Sequence, residues 1–151
     1  LFGALYNWYA VNTGKLAPTG WRVASDADWI TLNTYLMAEK GLMYDPNSVN
    51  NSNAKSLAID TLWRKSDNSE APGFDLKRNN ASGFCAVGAG YRYNVNGSYG
   101  YGGEYAYWWC TDAYSATNAW RLQFSYNDAY VSRSKGSVKS IGHSVRCVKN
   151  E

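Results

Sequence analysis

Apolar and polar positions alternate most clearly in the last third of the chain. Trp120, Leu122 and Phe124 fall on one side of an extended segment, and Arg121, Gln123 and Ser125 on the other, because successive strand side chains point to opposite faces. Tyr126-Asn127-Asp128-Ala129 reads as a hairpin turn. On the return strand Val131 points inward, and Tyr130, Ser132 and Ser134 point outward. The two outward rows should pair across the hairpin into one exposed surface, bordered by the loop at 112–118. A final strand at 144–148 brings Val145 and Cys147 to one side.

The first half has a different rhythm. Residues 5–11, LYNWYAV, read as a buried aromatic strand. Residues 12–20 hold Gly14, Pro18 and Gly20 and read as loop, and Trp21-Arg22-Val23 as a short extended piece. Ser25 with Asp28 three residues later is a capping pair. Trp29, Leu32 and Leu36 follow at helical spacing, which predicts a helix over 26–39. Residues 41–53 are polar and turn-rich, and 53–59 suggest a second, shorter helix. Thr61-Leu62-Trp63 reads as extended and 67–82 as a long loop. From Gly83 onward short strands alternate with Gly and Asn, and Gly97, Gly100, Gly102 and Gly103 form one loose loop. One or two helices in the N-terminal half and a β-rich, loop-rich C-terminal half make an α+β plan.

Composition narrows the function classes. The 151 residues fit a single domain over 1–151, and a start at Leu1 reads as a fragment of a longer chain. Aromatics reach 16%, with 13 Tyr and 7 Trp, and such side chains suit both cores and binding surfaces. A net charge of +3, from scattered Lys and Arg, predicts no nucleic-acid partner. No apolar run approaches the roughly 20 residues of a membrane span, which predicts no direct membrane insertion. The three cysteines, Cys85, Cys110 and Cys147, form no CxxC or zinc-like spacing; a Cys85–Cys147 pairing stays open. The single His143 sits in a strand-like context, and no nucleophile, phosphate-loop or metalloprotease motif is present. Asp26 and Asp28 read as helix-start residues. The expectation is a protein that is not an enzyme and has no cofactor and no transition metal. Calcium ligation by Asn127 and Asp128 stays open.

The exposed positions of the last third point to binding. They are Tyr105, Asp112, Tyr114, Ser115, Thr117, Asn118, Arg121, Gln123, Ser125, Tyr126, Asn127, Asp128, Tyr130, Ser132 and Ser134. Antibody paratopes use the same vocabulary: Tyr supplies rigid amphipathic area, and small polar residues supply adaptable hydrogen bonds. Trp21, Trp29, Trp108, Trp109, Trp120 and Val145 are the expected rigid frame behind it, and Tyr114, Tyr126 and Tyr130 the expected anchors.

Three stretches resemble a known family. LYNWYAVNTGKLAPTGWRVASDADWITL looks like the opening of the FISUMP (Fibrobacter major-paralogous) domain, and NNASGFCAVGAGYR like its middle segment. YWW, then AW, then V-x-R, then GHSVRCVKN look like its C-terminal signature. Cys110-Thr111-Asp112, His143 and Cys85 depart from that pattern. The resemblance implies a C-type-lectin-like fold, located extracellularly or on a bacterial cell surface, or on a phage particle. It also implies a protein or glycan ligand on another cell or surface. Some such domains are variable proteins of diversity-generating retroelements, and the matching window here is 105–143. The fold also resembles that of the formylglycine-generating enzymes, which makes an oxidase of that kind one alternative; a structural module of a surface layer or phage tail, with its Tyr-rich face against a neighbour, is another. Fold alone does not choose among these.

Overall fold

In the computed structural model, which describes residues 2–41, 43, 45 and 51–150, the elements follow the α+β plan. They are α1 (Trp8–Val11), β1 (Trp21–Val23), α2 (Asp26–Ala38), α3 (Ala54–Leu57), β2 (Tyr91–Arg92), β3 (Tyr99–Gly100), β4 (Tyr105–Ala113), β5 (Asn118–Ser125), β6 (Ser132–Val138) and β7 (Cys147–Lys149). All the paired strands run antiparallel: β1 with β7, β2 with β3, and β4-β5-β6 in that order. The turn-rich reading of 41–53 falls partly outside the described residues.

Helix α2 begins where local chemistry predicts. Ser25 Oγ accepts from Asp28 N at 3.2 Å, and Asp28 Oδ2 accepts from Ser25 N at 2.7 Å. Two N–H groups are thereby satisfied reciprocally. Arg22 on β1 grips the same carboxylate, with Nη2 donating to Oδ1 at 2.8 Å. That guanidinium, helped by Ser25, holds the Asp28 carboxyl well below the usual carboxylate range.

The core forms on both faces of β4. Consecutive strand residues point opposite ways, so Trp108 and Trp109 enter different clusters. Trp108 packs with Trp29 of α2, Leu57, Trp63, Leu122 and Phe124. Its ring lies 6.0 Å from Trp29 and 5.5 Å from Phe124. Trp109 packs with Trp8, Val11, Val23 and Ala119. Its indole donates to Tyr6 O at 2.8 Å, and the Trp8 indole donates to Cys110 O at 3.0 Å. The termini close over β4 through Ser144, whose backbone bonds Trp109 N and Tyr107 O. Gly90 marks another close approach. It sits at φ +63°, and a Cβ there would meet Gly100 O at 1.9 Å, which only glycine avoids.

Several expected elements come out differently. Residues 5–11 are not a strand: Tyr6 makes one bridge to His143, and the chain then turns into α1. The cause is local, because Asn7 Oδ1 accepts from Ala10 N at 2.9 Å and caps a helical turn. Residues 61–63 form a bend, with Leu62 at φ +67°. The last strand starts at Cys147 and not at Ser144, because Ser144 pairs with Trp108 instead. Trp21 is 46% exposed and is no part of the buried frame. Trp120 is only partly buried, under the Arg133 guanidinium 3.8 Å from its ring centroid. The three thiols are unbonded, so Cys85 and Cys147 are not paired.

Replacing Ser25 with Ala should lower stability by about 1 kcal/mol through loss of the cap. Chemical denaturation reads this directly, and an unchanged midpoint would remove the capping box from the account.

Candidate binding site

The second face of β4-β5-β6 carries the row that strand parity predicted. Tyr105 pairs with Ser125, Tyr107 with Gln123, and Trp109 with Arg121. Across the next ladder Gln123 pairs with Ser132 and Arg121 with Ser134. Side chains directly opposite share a face, so the two polar rows do lie side by side.

Their exposure is not uniform. A β2–β3 hairpin covers part of this face with Tyr91, whose ring lies 6.0 Å from Tyr107 and 6.5 Å from His143. Arg121, expected to be exposed, is mostly buried there, with its guanidinium 4.7 Å from the Tyr107 ring centroid. Its Nη1 donates to Ser137 Oγ at 3.3 Å and reaches His143 Nε2 at 3.3 Å. Ser125 is buried as well, with Oγ donating to Asp128 Oδ2 at 3.1 Å.

Burial dominates the electrostatics of this group. Loss of water, helped by the Arg121 charge, pushes His143 down to about 3. Burial likewise pushes Tyr107 up to about 12, although Arg121 opposes that. At neutral pH His143 is therefore an uncharged acceptor and Tyr107 a neutral phenol. This arrangement locks a cation beneath the surface and offers no group poised for proton transfer.

A small notch opens near the β5–β6 turn. Tyr105, Gln123, Ser125, Asp128, Tyr130 and Ser132 line a notch of about 50 Å³, together with Phe124. Tyr105 stacks on Tyr107 at 5.6 Å between ring centroids and meets Tyr101 edge-on at 5.5 Å. Tyr101 leads into a larger cleft of about 610 Å³, lined by Phe2, Leu5, Ala89, Tyr99 and Gly-rich backbone at 100–102. Tyr99 and Tyr101 are 74% and 50% exposed. Sequence reasoning missed both, together with Tyr91 and Tyr93. The signal was present: Tyr91-x-Tyr93 and Tyr99-x-Tyr101 flank one Asn/Gly-rich turn.

The other expected residues lie elsewhere. Asp112 is occupied at the start of α2, where Oδ2 accepts from Asp26 N at 2.7 Å. Tyr114 sits at the opposite end of β5, edge-on to Trp120 at 5.6 Å and with Lys135 Nζ 5.3 Å from its ring. Ser115, Thr117 and Asn118 form the β4–β5 turn, where Ser115 Oγ accepts from Asn118 N at 3.0 Å. The loop at 112–118 therefore does not border the notch. Tyr126 is partly buried against the core and faces Arg64 at 5.4 Å. Asn127 is tied to the 66–68 loop by Ser66 Oγ and by Asn68 Nδ2. Ser134 stays on the second face beside Arg121. Among the described residues no group of three His, Cys, Asp or Glu could hold a metal. No described helix is long and apolar enough to cross a membrane.

The family model of the Fibrobacter succinogenes major domain matches residues 1–149. The chain belongs to that family. No curated protein and no solved structure matches it. The match takes in the opening LYNWYAV and the GHSVRCVK of the last segment, so it covers nearly all of the stretches that carry the FISUMP resemblance. In this Fibrobacter succinogenes major domain the family assignment names a fold unit and no ligand. The binding reading rests on the surface itself.

The buried histidine makes a testable acid limb. His143 takes its proton near pH 3 when folded and near 6.5 when unfolded. Between those values the unfolded chain binds more protons, so the contribution is complete above about pH 6.5 and fades as pH falls. Denaturation midpoints measured from pH 7 to pH 4 should drop less steeply for His143→Gln than for the parent. Equal slopes would show that His143 is not kept neutral by the fold.

Proposed function

We propose that this Fibrobacter succinogenes major domain is a non-enzymatic binding module with a C-type-lectin-like fold, displayed extracellularly, on a bacterial surface or on a phage particle. The fold reading is supported by the pairing of β1 with the C-terminal β7, the single long helix and the loop-rich middle that feeds β4-β5-β6. The observation that carries the function is the continuous tyrosine surface from Tyr99 and Tyr101 to Tyr105 and Tyr130, set against a rigid buried sheet. Binding energy concentrates in a few aromatic anchors held by firm packing. Tyr is effective there because little rotamer freedom is lost on contact.

Of the three thiols, Cys110 is unsuited to oxidase chemistry. Burial pushes the Cys110 thiol far up, away from the thiolate that nucleophilic or copper chemistry needs. The notch residues Tyr105, Asp128, Tyr130 and Ser132 lie in the 105–143 window that resembles the variable region of diversity-generating retroelement proteins, which agrees with a diversified surface. A reverse transcriptase and a near-copy of this segment beside the gene would test that part.

The domain should be screened on a glycan array and against a panel of surface-protein ectodomains. Tyr99→Ala with Tyr130→Ala should abolish capture of whatever binds, with the melting temperature within a few degrees of the parent, since exposed substitutions cost about 0.5 kcal/mol or less each. Tyr114→Ala should leave capture intact. Loss of binding in Tyr114→Ala alone would move the site to the β4–β5 turn.

A further inference from the structure

The size and charge of the notch say more than that something binds. About 50 Å³ is near the roughly 30 Å³ share of one water molecule and far below the roughly 300–1,000 Å³ of a small-molecule site. It is the size of one functional group and encloses no sugar ring. Its lining carries one carboxylate, Asp128, and no cation. Asp128 is exposed, accepts from Ser125 Oγ, and makes no salt bridge among the described residues. The carboxylates of Asp26, Asp28 and Glu104 all have an arginine. Around Asp128 stand two phenols, Tyr105 and Tyr130, and the Ser132 hydroxyl. A carboxylate beside aromatic rings suits a cation, through charge and through the ring quadrupole.

The neighbouring cleft is the complement. At about 610 Å³ it falls within the range that encloses a substantial ligand. No charged residue among the described ones lines it; Phe2, Leu5, Ala89, Tyr99 and Tyr101 do. Tyr101 of the cleft and Tyr105 of the notch touch edge-on at 5.5 Å, so the two sites are adjacent.

We infer that the surface receives a segment of a protein partner, with a Lys or Arg side chain in the notch against Asp128 and a large apolar side chain in the cleft beside Tyr99 and Tyr101. This rests on the binding reading above and narrows its ligand to a basic-apolar protein segment. A neutral glycan could answer Asp128 only with a hydroxyl donor and would bring no opposite charge.

The experiment is panning of a displayed library of short random peptides on the immobilised whole domain, followed by titration of enriched peptides. Enriched sequences should place Lys or Arg close to a large apolar residue. Asp128→Asn keeps the Ser125 hydrogen bond and removes only the charge, and it should weaken these peptides about tenfold. Asp60→Asn should not weaken them. Raising the salt should weaken the parent complex and leave the Asp128→Asn complex less affected. Enrichment of peptides without a basic residue, no enrichment at all, or no effect of Asp128→Asn would overturn the inference. Glycan binders lost on Tyr99→Ala with Tyr130→Ala would preserve the binding reading while this inference fell. Peptides indifferent to Asp128, Tyr99 and Tyr130 together would remove both.

Discussion

Everything in this fold depends on β4 being buried on both faces at once. Ala106 through Cys110 are all buried, and two of these five positions are adjacent tryptophans. Alternation sends Trp108 to the α2 side and Trp109 to the other, so neither layer forms without the same strand. Each layer then recruits a distant part of the chain. Trp29, Leu57 and Trp63 gather around Trp108, while Trp8, Val11 and Val23 gather around Trp109. Large aromatic side chains let short elements do this. α1 and β1 bury little by themselves, yet Trp8 fixes α1 to β4 through both packing and the hydrogen bond to Cys110 O. Removing the Trp109 indole would open a large cavity and take from the Tyr6 carbonyl one of its two donors, the other being His143 N.

The same constraint explains the polar group beneath the tyrosines. A strand buried on both faces puts its partner β5 under cover too, and β5 carries Arg121 opposite Trp109. A buried guanidinium has to find acceptors and rings. It finds Ser137, His143 and the face of Tyr107. His143 serves only while uncharged, which is the state its burial enforces. The cluster fixes Tyr107, and Tyr107 is the platform on which Tyr105 stacks at 5.6 Å. Rigidity at the surface therefore descends in steps from a surface ring to a buried ring, a buried cation and a neutral imidazole.

What the sequence disclosed was what is decided locally. Ser25 and Asp28 announce α2 because a capping box is complete within four residues. The parity of Trp120 to Ser125 is a property of one strand, and Gln123 does pair with Ser132, but the connection is 126–131, longer than the expected turn at 126–129, and it leaves Tyr130 and Val131 outside the return strand. Covering a face is not local. Arg121 reads as exposed because nothing near it announces the β2–β3 hairpin that brings Tyr91 over Tyr107 and His143, and Ser125 is instead tied into the turn that follows it, through Asp128 and Asn127. Asn7 was misread for the opposite reason: aromatic composition favoured a strand, and one side-chain cap outweighed it. Bulges between Trp109 and Ala113 and between Ala119 and Arg121 shift the ladders as well. No composition signal marks them.

The geometry also separates two groups of residues that composition had joined. Tyr114 and Tyr130 are both exposed tyrosines in one Tyr-rich stretch, but β5 lies between their turns. Eight residues at about 3.3 Å each place those ends roughly 25 Å apart. Tyr114 leans on Trp120, and Trp120 has the parity of Leu122 and Phe124, the α2 side. Tyr105, Gln123 and Ser132 have the opposite parity. A single ligand on the notch would have to pass around the sheet edge to reach Tyr114. The aromatic area that a ligand meets together with the notch comes instead from Tyr99 and Tyr101, which precede the start of β4 and lie outside the stretch where composition had placed the site. The surface is thus assembled from two separated chain segments, and the buried Tyr107–Tyr91 contact holds them in one position.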